Sequence, residues 1–298
     1  MRIRYAAPAL LAVAALALTG CVNNDTTTPG ATSTGGGASV AKDDTLAALL
    51  PDKVKSAGQI TVGIDPTYAP NEYKDSNGNP IGWEVDLMNA AGQKLGVKIN
   101  YAVAKFDNII PSIVGGKDDV GMSSFTDTTE REQQVDFINY YTAGIQWASP
   151  KGKTVDPNNA CGLKVAVQAT TFEDTDEVPA KSKACTDAGK PAIQVFKYDT
   201  QDAATNALVL GQVDALSADS PVTLYAISKT NGKLQPAGES FDVAPYGMPV
   251  AKNSKIIPAI QKTFQALIDD GTYGKILKKW GVESGGVETV AINAASKG

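Results

Sequence analysis

The stretch Val120-Gly-Met-Ser-Ser-Phe-Thr-Asp-Thr-Thr-Glu-Arg131 decides how the chain is read. Its apolar opening predicts a short strand, its hydroxyl run a turn, and the approach to Arg131 the start of a helix. A turn after a strand leaves backbone N–H groups free, and Ser123, Ser124 and Thr126 add side-chain hydroxyls. Arg131 contributes a planar fork of donors that matches a carboxylate. Such a set can hold the carboxylate of a small ligand. The same residues also fit a surface turn in which Arg131 pairs with Asp127, Glu130 or Glu132.

Working outward, the flanking segments alternate between two periods. Gln59-Ile-Thr-Val-Gly-Ile64 reads as a strand and runs into the proline-punctuated loop Asp65-Pro-Thr-Tyr-Ala-Pro70. After a turn over residues 75–80, residues 83–95 place Leu87, Ala91 and Leu95 on one helical face. A second strand over 97–103, a short helix over 106–113 and the strand 119–122 complete a strand–helix series, which predicts an α/β lobe with a mainly parallel sheet. The pattern then restarts. Strands are expected over 163–167, 193–196 and 213–217, with a turn at Gln168-Ala-Thr-Thr-Phe172, a helix over 202–210 and another initiated by Pro221. Ligands of such sheets sit beyond the carboxyl ends of the strands, where Asp65, Tyr68, the Ser123 stretch and Asp219 all fall. Residues 140–149 and 244–251 read as extended crossovers, and helices over 257–268 and around Ile276 and Trp280 close the chain. The expected division is lobe 1 over 46–144 plus 250–298 and lobe 2 over 145–249, with the crossovers as hinge.

Composition narrows the function. The 298 residues carry a net charge of −5, 43% hydrophobic residues and no histidine. The first disfavours nucleic-acid binding; the last removes histidine-based triads and histidine metal ligands. No metal or cofactor is expected. Met1-Arg-Ile-Arg4 followed by an apolar run reads as a signal peptide over 1–20. Leu18-Thr-Gly-Cys21 resembles the bacterial lipobox, which implies a lipidated Cys21 and anchoring on the outer face of the cell membrane. Residues 21–45 have a flexible-tether composition. Cys161 and Cys185, an even pair behind an export signal, are expected to form a disulfide.

Seven blocks in order resemble the extracellular solute-binding proteins of the polar amino-acid ABC-uptake family (family 3 type). They are Gly63-Ile-Asp-Pro-Thr-Tyr-Ala-Pro70, Gly82-Trp-Glu-Val-Asp-Leu87, Phe106-Asp-Asn-Ile-Ile-Pro111, Met122-Ser-Ser-Phe-Thr-Asp-Thr-Thr-Glu-Arg131, Val135-Asp-Phe137, Gln168-Ala-Thr-Thr171 and Asp270-Gly-Thr-Tyr273. The resemblance implies a two-lobed, type II periplasmic-binding-protein-like fold, a monomer, an amino-acid ligand, and an ABC permease with a cytoplasmic ATPase as partner. It implies that Arg131 clamps the ligand α-carboxylate with Thr126, Thr170 and Thr171. Asp219 then pairs with the α-ammonium, with Ser124 and the Ser123 carbonyl. Tyr68 and Phe106 stack on the ligand side chain, and Asp65 faces its polar end. Asn71 departs from the family's usual aromatic and is expected to alter a cleft wall; Ala169 replaces the usual glycine. Asp65, with Val167 where some relatives carry lysine, points to a cationic or neutral polar ligand.

Two alternatives remain open at this level. One is an enzyme on the same fold, a dehydratase of prephenate-like acids with Glu72 as the nominated acid. The other is a ligand-sensing module that acts through a separate receptor.

Overall fold

In the computed structural model, residues 40–295 are described. The expected signal peptide, Cys21 and most of the tether lie outside them. Residues 40–45 already pack on the body: Val40 N–H donates to Gln93 Oε1 at 3.0 Å, and Asp43 N–H to the Lys94 carbonyl at 2.8 Å. Asp43 caps α1 (Asp44–Ala47), accepting from the N–H groups of Thr45 and Leu46, and α2 (Asp52–Ala57) follows.

The first lobe is built on β1 (Gln59–Ile64). A small antiparallel sheet of β2 (Thr67–Tyr68), β3 (Glu72–Lys74) and β4 (Pro80–Ile81) follows, then α3 (Trp83–Leu95), β5 (Lys98–Val103), α4 (Phe106–Val114) and β6 (Val120–Gly121). The order β5-β1-β6 is parallel throughout, as the strand–helix alternation predicts. The little sheet was not legible, because its two- and three-residue strands are rich in turn-forming residues. Gly82 joins it to α3 at φ +138°, where a Cβ would fall 2.0 Å from the Asn71 carbonyl oxygen. Only glycine fits that approach.

A single 3₁₀ turn at Arg131–Gln133 leads into β7 (Val135–Pro150). The second lobe follows as β8 (Lys164–Gln168), a π-helical turn at Glu173–Glu177, α5 (Val178–Asp187), β9 (Gln194–Tyr198), α6 (Gln201–Val209), β10 (Ala215–Asp219) and α7 (Ser220–Lys229). Strands β10, β8 and β9 are parallel, with β7 antiparallel to β10. Alternation divides the packing between the two faces of this sheet. Trp147, Val165, Val167 and Ala215 join Val178 and Cys185 in one core; Ala148, Ala166 and Leu216 join Ala204 and Leu208 in another. Cys161 and Cys185 form the expected disulfide.

The crossovers are longer than periodicity suggested. Strand β11 (Leu234–Ala251) runs antiparallel to β7 from Leu234 opposite Pro150 to Ala251 opposite Val135. Its register shifts between Ala237 and Phe241, between Phe241 and Ala244, and between Tyr246 and Gly247, where the pair passes from one lobe to the other. Helices α8 (Ile257–Asp269) and α9 (Thr272–Trp280) complete the first lobe. Gly271 takes the left-handed conformation that separates them, and Gly274 lies inside α9 instead of ending a break. A strand absent from the sequence reading, β12 (Gly286–Ile292), then pairs with β7.

Candidate functional site

The loops that leave β1, β6, β8 and β10 converge on a narrow cavity between the lobes. Asp65, Tyr68, Phe106, Ser123, Ser124, Thr126, Arg131, Thr171 and Asp219 line it, nine of the ten residues singled out from sequence. Thr170 lies outside this lining. It borders a shallower neighbouring pocket with Phe106 and Arg131, because its left-handed backbone (φ +65°) turns its N–H to Asp174 Oδ2 at 2.9 Å.

Arg131 is the pivot. Its guanidinium donates to the Thr126 carbonyl at 2.8 Å and to the Thr170 carbonyl of the opposite lobe at 2.9 Å. It lies 5.7 Å from the centroid of Phe106 and 5.6 Å from that of Phe125, two rings stacked at 4.2 Å. Among the described residues no carboxylate stands within ion-pairing distance of it, so the surface-pair reading with Asp127, Glu130 or Glu132 does not hold. Burial lowers its pKa, opposed by the fields of Glu173, Asp176, Asp219 and Glu130.

The acids of the cavity have separate environments. Asp219 occupies the N-cap position of α7, ahead of Ser220, yet its side chain makes no cap bond. Instead its Oδ2 accepts from the Tyr68 hydroxyl at 2.7 Å. Burial lifts its pKa to about 6, against the lowering effects of Tyr68, Tyr246 and Arg131. Asp65 accepts from Gln168 Nε2 at 2.8 Å across the cleft, and burial raises its pKa as well. Thr171 Oγ donates to the Gln168 carbonyl at 2.9 Å, which shapes the turn after β8.

Beneath Ser123 and Ser124 lies a polar network that the sequence reading missed. Ser123 Oγ accepts from Asp65 N–H and donates to Glu72 Oε1, both at 3.0 Å. Ser124, at φ +52°, turns its hydroxyl towards Glu72 and Glu84, and its N–H donates to Glu84 Oε2 at 3.2 Å. The Tyr140 hydroxyl also donates to Glu84. Both glutamates are buried. Burial, then the Glu84 charge, pushes the Glu72 pKa well up, and burial raises that of Glu84. Asn71 belongs to this network and not to a cleft wall: it donates to Ser124 Oγ at 2.8 Å and accepts from Trp83 Nε1 at 2.7 Å. Asn71 is fully buried and is not among the residues that line the cavity. Glu72, Gln168, Phe172 and Glu173 complete the lining. For Glu173 the only sequence signal was its place three residues after Thr170, which reads equally as helix capping.

Comparison with known proteins agrees with this architecture. Residues 60–283 match the description "Bacterial extracellular solute-binding proteins, family 3". The arginine-binding protein ArgT of Corynebacterium glutamicum is 40% identical over 250 residues, 83% of this chain and 82% of that protein. An ancestral arginine-binding protein, solved bound to arginine, superposes with a TM-score of 0.69 at 36% identity, covering 75% of this chain and 98% of its own. The ancestral amino acid-binding protein AncCDT-1, a precursor of cyclohexadienyl dehydratase, gives a TM-score of 0.66 at 30% identity over 79% and 99%. The fold is the two-lobed type II arrangement of periplasmic binding proteins. The matched length, the block order and the cleft together place this chain among the bacterial extracellular solute-binding proteins of family 3, the substrate-binding components of ABC importers that work outside the cytoplasm.

Proposed function

We propose that the protein captures a cationic L-amino acid, L-arginine first among them, and presents it to a membrane permease driven by a cytoplasmic ATPase. The observation that carries this reading is the charge pattern of the cavity. One half-buried guanidinium, without a carboxylate partner among the described residues, shares it with the carboxyl groups of Asp65, Glu72, Glu173 and Asp219, and no lysine lines it. A ligand with one carboxylate and two cationic groups satisfies that set, whereas an acidic side chain meets only like charge. Arg131 with Thr126 and Thr171 takes the α-carboxylate, Asp219 the α-ammonium with Ser123 and Ser124, and Asp65 the distal cation. Tyr68 and Phe106 hold the aliphatic stem, and Thr170 supports the clamp through its carbonyl. The names of ArgT and of the arginine-bound ancestral protein support arginine over other cations.

The ligand touches both lobes, so binding favours the closed arrangement. Lobe boundaries near 145 and 250 put the bend in the register shifts of β7 and β11. In this reading Cys21 is lipidated, the protein is a monomer tethered to the outer face of the cell membrane, and it catalyses no reaction. Titration calorimetry against the twenty amino acids, ornithine and citrulline, after unfolding and refolding to strip carried-over ligand, tests the proposal. Selective binding of arginine or another cationic amino acid supports it; silence across the panel from folded protein removes it. Glu72 lines the cavity, and burial raises its pKa, which favours a second reading, a dehydratase using Glu72 as acid. Turnover of prephenate by the purified protein would favour that reading.

A further inference from the structure

Glu173 has no part in the ligand set that the sequence blocks imply, yet it lines the cavity while only 1% exposed. Its Oε1 has no hydrogen-bond partner among the described residues. Its own backbone N–H and Thr171 stabilise the anion from one side. A buried carboxyl oxygen without a partner is costly, and the cost is offset when a donor arrives with the ligand. We propose that Glu173 is a ligand contact, its free Oε1 joining the Asp219 carboxylate so that the two acids together receive the α-ammonium. This rests on the amino-acid reading above and assigns a residue beyond it.

The surroundings favour this division of labour. The charges of Asp219, at the end of β10, and of Glu177, in the same π-helical turn, act on Glu173, and the Glu173 charge acts on the Tyr68 hydroxyl of the other lobe. Arg131 feels Glu173 as its leading attraction, with Asp176, Asp219 and Glu130 behind it. Tyr246 stands against Asp219 from β11. Two acids so placed cannot both ionise cheaply in the empty cleft, and burial followed by Asp219 raises the Glu173 pKa well above the usual carboxylate range. An ammonium entering between them supplies the positive charge that lets the proton leave to solvent. Ligand uptake is then coupled to proton release.

Calorimetry of the purified protein tests this with L-arginine and with 5-guanidinopentanoate, which is arginine without its α-ammonium. In Glu173→Gln, affinity for L-arginine is expected to fall about tenfold to a hundredfold, the scale of a hydrogen bond to a charged group. Affinity for 5-guanidinopentanoate should change much less. An equal loss for both ligands, or none for L-arginine, overturns the contact and leaves the arginine reading standing. The wild type alone gives a second readout near neutral pH: binding enthalpies in phosphate and in Tris should differ in the sense of proton release. Identical enthalpies in the two buffers overturn the proposal without any variant. Failure of the wild type to bind any L-amino acid overturns the functional reading and this contact with it.

Discussion

The Tyr68 hydroxyl donates to Asp219 Oδ2 at 2.7 Å, and the Asp219 N–H donates back to the Tyr68 oxygen at 3.2 Å. The two residues are 151 positions apart and belong to different lobes. Their bond spans the cleft and fixes one of the acids expected to hold the ligand. Three further contacts span it with them: Asp65 with Gln168, Arg131 with the Thr170 carbonyl, and Lys105 with Asp199 at 2.6 Å on the exposed rim.

Removing the hydroxyl in Tyr68→Phe takes away a donor that favours ionised Asp219. The Asp219 pKa should move up from about 6. Affinity for L-arginine at neutral pH should fall by about tenfold. In the wild type, affinity should weaken as pH drops through about 6, where Asp219 gains its proton, and in the variant the decline should begin at higher pH. Calorimetric titrations across that range check both statements.

Arg131→Ala should remove amino-acid binding while leaving the fold intact. Loss of one partner from a buried ionic contact costs about 3–5 kcal/mol, or more than a hundredfold in affinity. Lysine at this position should restore little, because a point charge cannot reproduce the two-pronged geometry. Wild-type affinity in Arg131→Ala would remove the clamp assignment.

The ligand-free protein should be more stable in mild acid than at neutral pH. Burial raises Asp219 and Asp127 to about 6 and Glu177 to about 7. Between the unfolded carboxylate values and these, the folded state binds more protons than the unfolded chain, so stability falls as pH rises. Acids held low work in the opposite sense at more acidic pH; Asp214, beside Lys153, is one. Thermal melts should therefore show a higher midpoint near about pH 5 than near about pH 7.5. A flat profile would contradict the burial of these acids.

The disulfide closes a separation of 24 residues and ties the chain ahead of β8 to α5, on a core away from the cleft. Chain-entropy arguments give it about 3 kcal/mol. Replacing Cys161 and Cys185 together by serine should lower the unfolding free energy by about 3 kcal/mol, read from denaturant titrations. Arginine affinity should stay within about a factor of three, since the cavity lining contains neither residue.

The sequence by itself determined the order of elements and the membership of the cleft. Period-2 and period-3.6 patterns are local, so the segments of β1, α3, α4, β8, β10 and α8 were legible within a few residues. The Ser123 stretch and Asp219 were legible because strand ends in parallel sheets share one edge. The short β2–β3–β4 sheet and β12 were not, since pairing with a distant strand, not periodicity, makes them strands. Tertiary structure alone decided which way the polar side chains face. Asn71 turns inward because Trp83 and Ser124 offer it two partners there. Glu72 and Glu84 meet at one hydroxyl because β3 and α3 bury them together under Ser124. Among the described residues Arg131 has no carboxylate partner and Glu173 keeps a free oxygen, because hydrogen bonds are completed by neighbours in space. Those neighbours come from lobes a hundred or more residues apart, and burial then sets what each unpaired group costs.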